Sequence, residues 1–147
     1  MIRVAKLEDV EEIVRLGYEM HLESRFSCER YDHEKVAKHM ASLINGEGVV
    51  FVAEHDGGVV GGIACGVTER WFNDTRVAFD YALFVRKGSR NGIIAMKLVS
   101  AFTRWASAFG ITTVTAGIVT GVHPDATARM YEALGFDRVG LVLEAKV

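Results

Sequence analysis

VAFDYALFV (77–85), RKGSRNG (86–92) and IIAMKLVSAFTRWASAF (93–109) follow one another without a break. The first is rich in β-branched and aromatic residues and reads as a strand. The second is a short basic turn containing Gly88 and Gly92. The third places Ile94, Leu98, Phe102, Trp105 and Phe109 at helical spacing. Ile93, Met96, Val99 and Ala106 widen that apolar face to the breadth that covers a sheet. A strand that turns tightly into a helix makes an anion cradle. The first helical amides lack intrahelical acceptors and point at the turn, where the helix dipole adds partial positive charge. Arg86, Lys87 and Arg90 add full charges, so a phosphate-bearing ligand is the expectation. The turn carries neither G-x-x-x-x-G-K-[ST] nor G-x-G-x-x-G. By spacing alone, a solvated turn with stray basic residues competes with the cradle.

Outward from this unit, the elements alternate. Ile2 to Ala5 suits a short strand. Leu7, Val10, Ile13, Val14 and Leu16 predict a first helix fading near Met20, with acidic residues in its first turns. Residues 21–31 read as a loop. Asp32 is the expected N-cap of a second helix running through Val36, Met40, Leu43 and Ile44, ended by Asn45-Gly46. Gly48 to His55 and Val59 to Val67 flank Asp56-Gly57-Gly58 and predict a hairpin. Gly61, Gly62 and Gly66 mark either a bulge or close backbone approach. Residues 68–75 form a loop before the opening strand. Gly110 ends the long helix, Ile111 to Val119 is a further strand, and Ala126 to Leu134 is a short helix closed by Gly135. Val139 to Lys146 is the expected final strand. The order is β-α-α-β-β-β-α-β-α-β, a mixed α/β (α+β) architecture with one sheet covered by helices.

The chain has 147 residues, of which 50% are hydrophobic and 24% charged, and these values fit one domain spanning 1–147. A net charge of −2 provides no basic field for nucleic acid or anionic membrane. No apolar run is long enough to span a bilayer, and no export signal opens the chain. Cys28 and Cys65 read as reduced thiols, and a cytoplasmic location is the expectation. The five histidines and two cysteines show no metal-ligand spacing, so no metal is expected.

Residues 83–98, LFVRKGSRNGIIAMKL, resemble the acyl-CoA-binding segment of the GNAT (GCN5-related) N-acetyltransferase superfamily. The family pattern is a strand ending in Val, a basic turn, then [RQ]-x-x-G-x-[GA] opening a helix. Arg90 and Ala95 match its ends, while the glycine stands at Gly92, one place early. Residues 126–136, ATARMYEALGF, are similar to the family's A-x-x-x-L-Y-E-K-x-G-F run, with Tyr131, Glu132, Leu134, Gly135 and Phe136 in register. Pro124 takes the place of an Asn often found before this helix. The element order also agrees. The resemblance implies a central mixed sheet of six to seven strands flanked by four helices. It also implies acetyl-CoA as co-substrate and an amine acceptor, either a small molecule or a peptide. A homodimer is compatible with the family.

Transfer of an acetyl group from acetyl-CoA to an amine needs a phosphate clamp, a strand edge for the pantetheine amides, an oxyanion donor, a base and an acid. The clamp falls on Arg86, Lys87, Ser89, Arg90, Asn91, Gly92, Ile93, Ile94 and Ala95, mainly through backbone amides. Backbone groups of Phe84 and Val85 pair with the pantetheine arm as an added strand would. An amide at the end of that strand stabilises the tetrahedral oxyanion. Tyr131, by its match to the family's tyrosine, is the acid for the leaving thiolate, or else a packing residue of its helix. Asp80 is the candidate base. Family members often place a carboxylate on this strand, and a carboxylate there needs a partner or a function. By alternation Asp80 shares a face with Ala82 and Phe84. Glu54, His55, Glu69 and His123 are weaker candidates, and water alone also serves as a route for the proton. His21, Glu23, Arg25, Tyr31, Trp71 and Phe72 are placed to shape an acceptor mouth, Trp71 and Phe72 being equally suited to core or dimer contacts. Leu98, Phe102 and Trp105 are core. The reading is an N-acetyltransferase working by direct attack in a ternary complex. The competing reading is a catalytically silent acyl-CoA-binding or regulatory domain of the same fold.

Overall fold

A computed structural model describes residues 1–147. Five strands form one sheet: β1 (Ile2–Val4), β2 (Gly48–His55), β3 (Gly58–Glu69), β4 (Arg76–Val85) and β5 (Thr113–Thr115). Their spatial order equals their chain order, with antiparallel neighbours from β1 to β4 and a parallel β4–β5 junction. The helices are α1 (Val10–Glu23), α2 (His33–Ser42), α3 (Ile93–Ala108) and α4 (Pro124–Ala133). The mixed fold class and the element order up to α4 are as expected. The sheet has five strands rather than six or seven.

The sheet is buried on both faces. One face packs Phe51, Ile63, Cys65 and Ala78 against Leu98, Val99 and Phe102 of α3, with Tyr131 of α4 at the margin. The other packs Val50, Val52, Ala64 and Phe84 against Ile13 and Leu16 of α1 and Met40 of α2. This explains the unbroken apolar run VVFVA in β2, since a strand covered on both sides has no polar face. Leu98 and Phe102 are fully enclosed as expected of core, while Trp105 is half-buried and Phe109 lies at the surface. The β2–β3 connection is the predicted tight turn, with Asp56 and Gly57 at positive φ (50° and 77°).

Both meanings offered for the β3 glycines are realised. A Cβ on Gly66 would fall 2.9 Å from the rings of Phe79 and Tyr81, so these aromatics lie across a bare strand. Bulges also occur, and the one on β4 matters most. Ala64 is opposite Ala82, but Cys65 is opposite Asp80, leaving Tyr81 unmatched. One extra residue inverts the alternation. Asp80 therefore leaves the face of Ala82 and Phe84, where simple alternation put it, and joins Leu83 and Val85 on the α3 side. Tyr81 turns the other way, edge-on to His39 of α2 at 4.3 Å between centroids.

Two expected strands are shortened or lost. Of Ile111 to Val119, only Thr113–Thr115 pairs, against Val77–Phe79. Past that point the β4 bulge directs the two chains apart. Val139 to Lys146 forms no strand: it makes no backbone hydrogen bond, and Val139, Leu141, Val142 and Leu143 are 78–90% exposed. None of the segment's side chains joins either apolar cluster of the sheet, so no burial offsets the entropy of fixing it as a strand. Beside it the Arg25 amide donates to the Thr120 carbonyl (2.8 Å) and Arg25 Nε to that of Val119 (2.5 Å), while Arg25 Nη1 lies 3.1 Å from Glu144.

Candidate active site

The divergence of β4 and β5 creates a groove of about 370 Å³, walled by β4 from Asp80 to Val85 on one side and Gly117–Thr120 on the other. The α3 N-terminus closes one end and α4 contributes Met130 and Tyr131. Beyond Phe79, β4 has no β5 partner, so its backbone edge is open to the groove.

Asp80 sits where the strands separate. Its Oδ1 accepts a hydrogen bond from the Gly117 amide at 3.2 Å, in place of the backbone pairing lost there. Burial pushes its carboxyl up to about 6, opposed by the hydrogen bond from Gly117. Tyr131, 5% exposed, lines the same groove, and its hydroxyl makes no hydrogen bond within the protein. Burial, and then the neighbouring Asp80 charge, raise its phenol above the ordinary value, so it stays protonated. Cys65 lies behind them, buried, its thiol raised first by burial and then by Asp80; it is an inert core thiol.

The loop between β4 and α3 has a defined form. Gly92 adopts φ 84° at the N-cap of α3, the left-handed region that favours glycine. No atom lies within 4 Å of a Cβ built there, so the early glycine answers a backbone conformation rather than a tight fit. Asn91 Oδ1 accepts from the Ile93 amide at 3.1 Å. The amides of Ile94 and Ala95 have no acceptor in the protein and are free for a ligand.

A GNAT acetyltransferase family model matches residues 8–136. The chain belongs to the GNAT acetyltransferase family. No curated protein matches it in sequence. Among solved structures, it is similar to a predicted acetyltransferase with acetyl-CoA from Clostridium acetobutylicum, at 15% identity and TM-score 0.80, covering 99% of this chain and 95% of that one. An aminoglycoside antibiotic 6'-N-acetyltransferase from Acinetobacter haemolyticus gives 15% identity and TM-score 0.76 over 100% and 97% of the two chains. AAC(6')-Iy, in complex with a CoA-S-monomethyl-acetylneamine bisubstrate analogue, gives 17% and 0.80 over 100% and 97%. At such identities the likeness is one of fold.

In this GNAT-family chain, Val85, Ser89, Arg90, Gly92, Ile94 and Ala95 of the expected cofactor residues line the groove. Phe84 points its ring to the opposite face and is 4% exposed, leaving only its backbone on the β4 edge. Lys87 and Ile93 face solvent, and Lys87 has no ion pair. Arg86 is 3.1 Å from Glu12 of α1, and Arg90 is clasped by Glu23. His123, at positive φ (44°), lines the groove, whereas Glu54 is tied to Arg3 at 3.0 Å and His55 to Asp56 at 3.3 Å. Glu69 ends β3, away from the groove.

The expected mouth residues have other tasks. Tyr31 donates to the Val14 carbonyl at 2.9 Å, with its phenol pushed up to about 12 by burial, and His21 Nε2 is 2.7 Å from the Glu29 carbonyl. Trp71 and Phe72 form an exposed edge-to-face pair (5.5 Å) at the β3–β4 tip, outside the groove. Met20 and the Gly117 amide were not among the residues singled out. Met20 carries no chemical signal, and Gly117 matters only through the bulge that brings Asp80 to it. No group of three or more His, Cys, Asp or Glu side chains forms a metal cluster. No helix is long and apolar enough to cross a membrane.

Proposed function

We propose that the chain transfers an acetyl group from acetyl-CoA to a primary amine by direct attack in a ternary complex. The carrying observation is the groove: an open β4 edge that ends at the free amides of Ile94 and Ala95, with Asp80 and Tyr131 on its inner wall. The pantetheine arm adds to β4 as a strand, and the pyrophosphate meets the α3 N-terminus. Amine binding as the ammonium requires a proton to leave, and Asp80, ionised above about pH 6, accepts it. The free amine attacks the thioester carbon. A β4 amide past the bulge stabilises the oxyanion. The attacking nitrogen gives up its second proton to water. As the C–S bond breaks, the Tyr131 hydroxyl donates its proton to sulfur, and the proton held by the neighbouring Asp80 restores the phenol. The aminoglycoside acetyltransferases among the structural neighbours support a small-molecule amine as acceptor.

Calorimetry with acetyl-CoA, followed by a thiol-release screen of amines, tests this. Binding with turnover is expected, together with a drop of about 100-fold in kcat for Tyr131→Phe, the scale of one general acid. No binding of any acyl-CoA overturns the reading. Binding without thiol release for any amine supports the catalytically silent alternative.

A further inference from the structure

Both arginines of the β4–α3 loop are engaged by one helix. Arg86 Nη2 lies 3.1 Å from Glu12 Oε1. Arg90 Nη1 and Nη2 lie 2.8 and 2.5 Å from the two oxygens of Glu23, a bidentate clasp. Arg90 Nε donates to the Val85 carbonyl at 2.8 Å, so three of its N–H groups are committed within the protein. Glu12 lies in the first turn of α1 and Glu23 is its last residue. Their separation is about three helical turns, which returns them to nearly the same side of the helix. Helix α1 thus grips the loop where it leaves β4 and again where it enters α3.

The electrostatics are those of a fixed pair. Arg90 and Glu23 are each 26% exposed at the side chain, and the hydrogen bonds from Arg90 hold the Glu23 carboxyl below its ordinary value. A phosphate docking on this guanidinium would face the Glu23 carboxylate across it, anion against anion. Lys87, lying between the two clasps, is the loop's unpaired cation, and the free amides of Ile94 and Ala95 follow in α3.

We infer that Glu12 and Glu23 are positioning residues for acyl-CoA binding: they fix Arg86 and Arg90 as struts that shape the loop, while the pyrophosphate is met by the Ile94 and Ala95 amides and Lys87. This rests on the acyl-CoA reading above. It reverses the sign of a simple experiment. If Arg90 ligated phosphate in competition with Glu23, removing the carboxylate would release the arginine and tighten binding. As a strut, Arg90 loses its anchor and binding weakens.

The test is calorimetric affinity for acetyl-CoA on folded full-length protein, with thermal melting of each variant alongside. Glu23→Gln is expected to raise Kd by about tenfold, the scale of one lost charge-assisted pair. In the double variant Glu23→Gln with Arg90→Gln the rise in Kd is expected to stay well below the product of the two single effects, since both changes remove the same pair. Unchanged or tighter binding in Glu23→Gln, or fully multiplicative losses in the double variant, overturns the inference. Should the Glu23 variants not fold, Glu12→Gln and the double variant Glu12→Gln with Arg86→Gln apply the same criteria. A starting protein that binds no acyl-CoA defeats the function reading itself; one that binds normally while Glu23→Gln binds more tightly defeats only the strut assignment.

Discussion

Asp80 shows how one inserted residue redirects a side chain. Without the unmatched Tyr81, its carboxylate would face α1 and α2; with it, the carboxylate meets Gly117 and stands near Tyr131. Its carboxyl is raised from 3.8 to about 6, chiefly by burial. The folded state therefore binds more protons than the unfolded chain between these values, and stability falls as pH rises through that window. Two consequences are expected. Activity should rise through about pH 6 and level off above it, and Asp80→Asn should abolish that limb in a pH–rate profile. At pH 8 the same variant should melt higher by about 2–4 °C, because a neutral amide carries no charge-burial cost yet still accepts from Gly117. A lower melting temperature at pH 8 would contradict the burial account. The opposite linkage holds at Asp9, whose carboxyl is lowered first by its hydrogen bonds from Arg3. Its stabilising contribution is present above the ordinary carboxylate value and is lost as pH falls through the lowered one.

At the scale of elements, the strand–turn–helix unit is the part that sequence and structure describe in the same way. The periodicity of α3, the capping Asp32 of α2 and the Asp56-Gly57 turn are local signals, and each formed where its residues stand. The bulge was less legible, since the glycines of β3 announced some irregularity but not which residue of β4 would be left over. The struts were not legible at all. Glu12 and Glu23 look like ordinary acidic residues of an amphipathic helix, and only the folded chain brings them to residues 86 and 90. Gly92, out of step with the family pattern, has its explanation in φ 84°. Gly92→Ala is expected to cost about 1 kcal/mol in a melting experiment, the usual penalty of a left-handed alanine. It should also weaken acetyl-CoA binding several-fold by calorimetry, because the turn aims the Ile94 and Ala95 amides. A variant with unchanged affinity would separate the turn from the cradle.

Across the whole molecule, the largest departure from the sequence reading is the C-terminal segment. VGLVLEAK alternates and branches like a strand, and its propensity is genuine, but a strand also needs an edge with free acceptors. Residues 139–146 pair with no strand and join neither apolar cluster, and their aliphatic side chains stand in solvent. Hydrogen exchange provides the check. Amides of residues 137–147 should exchange without protection, whereas those of β2 and β3 should be the slowest in the chain. Protection of the segment would reveal a pairing partner outside this arrangement.

The sheet's spatial order, identical to its chain order, has a kinetic meaning. β3 and β4 each meet the preceding strand through a hairpin, so these contacts close over short loops. The β4–β5 junction is different. It is parallel, three residues long, and reached only after all of α3 has been laid across the sheet. Loop-closure entropy places that step late. The groove is built across this seam, so it is assembled only after the hairpins beside it. A ligand spanning β4 and the segment beyond β5 then acts as a clasp on the late-forming half of the molecule, slowing its unfolding more than it speeds its folding.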